Sequence, residues 1–245
     1  MSDLQKNLTA AGASAESAEK IAGIIKAAAQ AAEVQAEGLS VYRVFWLFLM
    51  ASFLGDLIEV VFWLVTRGEL ISRSSLVYGP FSLVWGFGAV LLTLVFHKLQ
   101  DQGNIQIFLL GTALGGVYEY ICSWFQEWAF GVCFWDYSHL PFNLNGRINL
   151  VFCLFWGAVA VLWVRLVYPG LCRLISAIPR RVGKKLAAVM AVFLAVSTVL
   201  SAAALYRMDQ RREGVPAGSA FSQYLDEHFP DSRLQARYPN MGILD

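Results

Sequence analysis

The chain has 245 residues, of which 57% are hydrophobic and 15% charged, and its mean hydropathy is +0.53. A soluble domain is about 45–50% apolar and about 25% charged, so this composition points to a polytopic membrane protein rather than a soluble enzyme. The formal net charge is +1 and no basic block is present, which points away from nucleic acid as a partner.

The opening MSDLQKNLTAAGASAESAEK has no apolar run near its start. No cleavable signal peptide is expected, and the first membrane helix must act as its own insertion signal. Residues 4–37 are Ala-rich and charged, with Leu4, Leu8, Ile21, Ile25 and Ala28 near helical spacing. That pattern predicts a soluble or surface-lying helix within a polar segment, 1–40. A spanning helix needs about 20 mostly apolar residues, and five stretches qualify: roughly 41–66, 76–99, 105–130, 148–168 and 186–206. The first and third carry acids. After them comes a polar tail, 207–245, in which Gly and Pro mark turns and AFSQYLDEHF predicts a short helix. The expected fold class is all-α: a polytopic helical bundle with about five transmembrane helices over 41–206, in contact with membrane lipids. The eight Trp fit an interfacial role. Cys122, Cys133, Cys153 and Cys172 form no CxxC, so neither a metal nor a redox motif is indicated, and no cofactor is expected.

Side A denotes the side that holds the N-terminus, the loop near 98–104 and the loop 169–185; side B holds the other loops and the tail. The last side-A loop carries Arg173, Arg180, Arg181, Lys184 and Lys185. Short loops rich in Lys and Arg stay in the cytoplasm, which makes side A cytoplasmic and the tail extracytoplasmic. Arg207, Arg211 and Arg212, just after the fifth span, argue the other way.

Parity places a set of polar residues on side B whichever side is outside. Asp56 and Glu59 lie in the last turns of the first span, and Arg73 and Tyr78 precede or begin the second. Glu119 and Glu127 lie in the side-B half of the third span, and Asp136, Asn143, Asn145 and Arg147 lead into the fourth. A charged group at the centre of a membrane helix costs about 2.5–3.5 kcal/mol, so such groups face the protein interior, pair, or line a wet cavity. The alternative is a buried ion-pair cluster that only fixes helix packing. In WDYSHLPFNLNGRINLVF, Asn145-Gly146 is a turn signal and Asn143 or Asn145 can cap the fourth helix. Arg147 then falls in that helix's first turn, where the macrodipole disfavours a cation. This predicts a carboxylate or anionic partner, with Glu59, Glu119 or Asp136 within ion-pair distance.

The same segments resemble a family. YGPFSLVWGFGAVL is similar to its YGP-x(4)-[YW]-G-[FY]-G-A motif, and EYICSWFQEWAFGVCFWDYSHLPFNLNGRINL to its E-Y-x(3)-W-x(2)-E … W-W-D-Y-S … P-F-N-L-N-G-R-I motif. The family is that of bacterial integral membrane proteins named putative ABC-transporter type IV, or CmpB-like permeases, and the resemblance covers roughly 41–170. It implies a bacterial inner-membrane, transport-related protein working with a separate ATPase subunit or other membrane proteins. It also implies a substrate-binding polar site at Glu59, Arg73, Tyr78, Glu119, Glu127, Trp135, Asp136, Tyr137, Asn143, Asn145 and Arg147, with Gly79, Pro80 and Gly146 among the motif positions. Asp56 stands where an aromatic is expected, and Ser74-Ser75 where Gly and an apolar residue are usual.

No GxxxxGK[ST], HExxH or GxSxG is present, so the chain carries no ATP-binding loop of its own and enzymatic activity is not indicated. His139 lies near Asp136, but a lone His without ligand spacing is not a metal site. Two alternatives to the transport reading remain. One is a membrane-embedded enzyme acting on a lipid or envelope precursor, with Glu119 or Asp136 as acid or base and Arg147 and Arg73 gripping a phosphate. The other is an accessory or sensor protein using its two ends as interaction arms.

Overall fold

The computed structural model describes residues 38–243, together with 14, 16, 17 and 19–23. The helix expected over 4–37 lies largely outside the described residues; 16–17 and 19–23 are helical, with an exposed Lys20–Glu16 pair at 2.9 Å. Six apolar or amphipathic helices follow: α1 (Val41–Arg67), α2 (Leu83–Phe96), α3 (Asn104–Phe130), α4 (Leu150–Leu162), α5 (Tyr168–Ala177) and α6 (Arg180–Arg212). Two short ones, α7 (Ala220–His228) and α8 (Asp231–Arg237), close the chain. A π-helical turn, Trp163–Val167, joins α4 to α5 just before Pro169, a residue with no N–H to give an α-helical ladder. Strand pairing among the described residues is limited to two antiparallel pairs of two residues each: β1 (Val132–Cys133) with β4 (Gly242–Ile243), and β2 (Asn143–Leu144) with β3 (Ile148–Asn149).

Four helices among the described residues are long and apolar enough to cross a membrane: α1, α3, the continuous Leu150–Ala177 rod and α6. The fifth, α2, has 14 residues. At 1.5 Å per residue it is about 21 Å long, short of the roughly 30 Å hydrocarbon core. The second span expected over 76–99 is thus helical only over Leu83–Phe96. The cause is local. Gly79 sits at φ 81° and Pro80 has no N–H, so neither can continue a helix.

The non-helical stretch before α2 doubles back along α1. Arg73 reaches Glu59, and Ser82 N donates to Ser52 O (2.9 Å) in the middle of α1. Irregular backbone at membrane depth is tolerated only where protein satisfies it, and here side chains do so. Ser74 Oγ shares its one proton between Gly79 O (2.8 Å) and Phe81 O (3.0 Å) and accepts from Leu76 N (3.1 Å). From α6, Ser201 Oγ accepts from Val77 N (2.8 Å) and Ser197 Oγ donates to Tyr78 O (3.2 Å). Ser74, unusual by family resemblance, is the hub of this turn.

Small residues set the packing elsewhere. A Cβ on Gly55 would fall 2.1 Å from the Trp85 ring, and one on Gly115 would fall 2.3 Å from Trp156 Cβ, so α1–α2 and α3–α4 close by glycine contact. The main core is centred in the side-A half on Leu47, Leu92, Phe96, Ile107 and Trp163, and reaches Leu76 and Phe81 in the irregular stretch. A second core on side B joins Val132, Leu205 and Met208 to Leu225, Phe229, Leu234 and Tyr238. The polar tail is therefore folded against the end of α6. Arg207 pairs with Asp226 through Nε and Nη2 (2.9 Å each), Arg211 pairs with Asp226 (2.6 Å) and Asp231, and Arg212 with Asp209 (3.5 Å).

A candidate polar site at the side-B end

Three acids of α1 and α3 take their partners from the loops that follow. On α1, Glu59 accepts from Arg73 Nε (2.7 Å) through one oxygen and from the Trp85 indole N–H (2.6 Å) through the other. Arg73 also lies over the Trp63 ring, 5.6 Å from its centroid. On α3, Glu119 is only 7% exposed. Its Oε1 accepts from the Tyr137 hydroxyl (2.8 Å), while Oε2 is buried without a hydrogen-bond partner. The Trp156 indole lies beside this carboxylate and packs 5.6 Å from Trp85, which links the Glu119 and Glu59 centres through two rings.

Tyr137 shows how close these groups are. Its ring stacks on Phe152 at 4.6 Å. Its phenol is pushed well above the ordinary range, first by burial, then by the Glu119 charge and hydrogen bond, with Glu59 adding and Arg73 opposing. Asp56, 6% exposed with one buried oxygen unpartnered, lies within electrostatic reach of Arg237, Glu59 and Arg73.

The third centre lies nearer the end of α3. Arg147 pairs with Glu127, and its guanidinium carbon is 5.5 Å from the centroid of Tyr120. Asn145 Nδ2 donates to the Tyr120 hydroxyl (3.0 Å) and Trp135 Nε1 to Arg147 O (3.0 Å). The partner is thus none of the three expected acids. Glu59 is filled by Arg73 and Trp85, and Glu119 engages Tyr137 through Oε1 and makes no ion pair with Arg147. Asp136 is an exposed loop staple whose oxygens take Ser138 N and Ser138 Oγ, both at 2.8 Å. Those two bonds hold the Asp136 carboxyl below its ordinary value.

The crossover stretch folds as a hairpin before the helix starts. Asn145 (φ 54°) and Gly146 (φ 68°) form its turn, and a Cβ on Gly146 would fall 2.6 Å from Asp136 Oδ1. Arg147 therefore precedes α4 instead of occupying its first turn. Asn149 is the N-cap, with Oδ1 accepting from Val151 N (2.9 Å) and Nδ2 donating to Pro141 O (2.6 Å). Asn143 ties the loop together, donating to Leu140 O (2.7 Å) and accepting from Gly146 N (3.0 Å).

Of the eleven candidate positions, the chain brings Glu59, Arg73, Glu119 and Tyr137 into one group, and Glu127, Trp135, Asn145 and Arg147 into a neighbouring one. Asp136 and Asn143 shape the loop. Tyr78 stands apart, its ring 6.0 Å from Phe229 in the tail. Sequence reasoning missed Trp85 and Trp156, although Trp85 is the aromatic of the YGP-x(4)-W motif. It also missed Ser74 and Arg237, whose backbone contacts leave no spacing signal. Among the described residues no group of three or more His, Cys, Asp or Glu could hold a metal ion.

The profile of one family, described as Putative ABC-transporter type IV, matches residues 46–202. No curated protein and no solved structure matches the chain. The matched segment contains most of α1, all of α2 to α5, most of α6 and all three acid centres, and the chain belongs to this family.

Proposed function

We propose that this transport-related, multi-pass membrane protein is the permease-like component of a transport system, that a separate ATPase docks on side A, and that the side-B polar group is where solute is handled. The supporting observation is the concentration of Glu59–Arg73–Trp85, Glu119–Tyr137 and Glu127–Arg147 at one end of a bundle whose other half is filled by an apolar core. Glu119 is the group we assign to meet solute, because among the described residues its buried Oε2 accepts no hydrogen bond of good geometry and has only the Trp156 indole beside it. Side A is cytoplasmic on this reading, following the basic residues there. The residues expected in the short loop 169–185 lie instead on helices. The connection is only Ile178–Pro179, and Arg181, Lys184 and Lys185 are exposed on the first turns of α6.

The test is purification of the full chain from its native membrane, with the ATPase activity of the purified material measured alongside solute uptake by cells. An ATPase that co-purifies, and is lost when Arg181, Lys184 and Lys185 are changed to Gln, supports the reading. So does uptake of a solute that Glu119→Gln abolishes. A preparation with no ATPase, from cells whose uptake matches that of a deletion strain, overturns it.

A further inference from the structure

The arginines of the tail fall into two classes. Arg207, Arg211 and Arg212 each pair with a carboxylate. Arg233 and Arg237, four residues apart on α8, have no carboxylate within ion-pair distance among the described residues. They line one cavity of about 300 Å³, whose other walls are Val77, Phe229, Leu234 and Ala236. Like charges at this helical spacing repel each other, so two of them on one wall mark a place where an anion lowers the energy of the fold.

The donors that remain are informative. Arg237 gives Nε to Leu76 O (2.8 Å) and Nη2 to Gly79 O (2.6 Å), which fixes the guanidinium and leaves Nη1 unengaged. Arg233 gives Nη1 to His228 O (2.6 Å) and lies 5.0 Å from the Phe229 ring centroid, leaving Nε and Nη2. Asp56 on α1 is within electrostatic reach of Arg237 but forms no ion pair with it. Two guanidinium groups, held by backbone carbonyls with donors to spare, suit an anion with several oxygens at tetrahedral directions. A cavity of this size is large for a bare oxyanion and reaches the lower end of small-molecule sites, about 300–1,000 Å³. The apolar walls fit an organic substituent.

We propose that this cavity binds a phosphate group carrying an organic substituent, through Arg233 and Arg237. The site is separate from the carboxylate centres and does not depend on the transport reading. The same chemistry is offered by a phospholipid headgroup at the side-B surface and by a free phosphate ester.

The test is binding to the purified full chain in maltoside micelles, by calorimetry. The probes are dihexanoyl phosphatidylglycerol, glycerol 3-phosphate and inorganic phosphate, with uncharged dihexanoylglycerol as the control. Tight binding of the lipid alone identifies a headgroup site. Comparable binding of glycerol 3-phosphate identifies a free-ester site. In either case Arg233→Gln, which leaves the Leu76 and Gly79 carbonyls capped, should weaken binding about tenfold or more, as expected for loss of a charge-assisted hydrogen bond. Arg237→Gln strips those carbonyls and reports on folding as well, so Arg233→Gln carries the test. If no phosphate probe binds better than dihexanoylglycerol, if inorganic phosphate binds as tightly as the two substituted probes, or if Arg233→Gln leaves affinity unchanged, the proposal falls.

Discussion

Glu59 is the carboxylate on which two elements converge, so substitutions there separate charge from hydrogen bonding. Its side chain is 26% exposed and that of Arg73 is 19% exposed. An exposed pair contributes about 0–1 kcal/mol, whereas removing one partner of a fully buried pair costs about 3–5 kcal/mol. A pair buried to this degree lies between, at about 2 kcal/mol for Glu59→Gln. Gln keeps an oxygen for the Trp85 N–H, so the loss reports on the stranded Arg73 charge. Trp85→Phe removes the 2.6 Å indole bond and leaves the ion pair; a hydrogen bond to a charged acceptor contributes about 1.5–3 kcal/mol. Because both act on one carboxylate, the double variant should fall short of the sum of the singles by about 0.5 kcal/mol or more. Unfolding of the four proteins in mixed micelles of maltoside and dodecyl sulfate measures this. Strict additivity, or a Glu59→Gln protein as stable as the parent, would refute the shared-carboxylate geometry.

Three further outcomes follow from other parts of the structure. Arg147→Ala should lower stability by about 2 kcal/mol, again between the exposed and buried limits, Arg147→Lys should recover only part of it because an ammonium lacks the planar fork, and Glu127→Gln should make the two indistinguishable in a double-mutant cycle. Gly115→Ala should cost about 1–3 kcal/mol of overpacking, read as a lower midpoint in the same unfolding assay, because the new Cβ meets Trp156 Cβ rather than a flexible side-chain end. The Asp226 carboxyl is held at about 2 against an ordinary 3.8, chiefly by hydrogen bonds from Arg207 and then Arg211. A depressed folded-state pKa gives stability that is present above the unfolded value and lost as pH falls through the folded one. Pepsin should therefore begin to cut the released tail at Phe221 or Leu225 as pH falls from 3.8 toward 2, and Asp226→Asn should flatten that dependence.

Hydropathy located α1, α3, α4 and α6 because each is a long, mostly apolar run without an internal helix breaker, and parity placed the acids of α1 and α3 at one end without knowledge of orientation. It misread 76–82 for a physical reason. Hydropathy measures what lipid tolerates around a segment, whereas Gly79 and Pro80 decide whether the backbone can be helical. The partner of Arg147 was illegible because it depends on which carboxylates are already occupied. Asp136, the nearest acid in sequence, is taken by Ser138, two residues on. Glu127, twenty residues away in sequence, is left. The Trp residues read as interfacial anchors, yet Trp85 and Trp163 donate inside the bundle, to Glu59 and to Thr93 Oγ1 (3.0 Å).

The broken second helix accounts for the asymmetry of the bundle. Beyond its first turn, where Leu83 N donates to Ser75 Oγ and Val84 O accepts from the Tyr118 hydroxyl, α2 satisfies its backbone by its own helical ladder, and the side-A half is packed mostly with apolar side chains. Where the chain is irregular, its backbone groups must be met by polar side chains, and each such side chain must itself arrive on an element that reaches the same depth. Ser197 and Ser201 come from α6, Arg237 from α8, and the Tyr238 hydroxyl donates to Ser75 O (3.3 Å). The tail can supply Arg237 because the second apolar core and the Arg207–Asp226 and Arg211–Asp231 pairs hold α7 and α8 against α6. The same irregular stretch delivers Arg73 to Glu59 and sets the start of α2 so that Trp85 reaches the second oxygen of that carboxylate. A straight helix over 76–99 would need none of these backbone partners, so the break at Gly79-Pro80 is what calls the Glu59 centre and the tail's Arg237 to one end of the bundle, where the 131–149 crossover separately brings Tyr137 to Glu119 and Arg147 to Glu127.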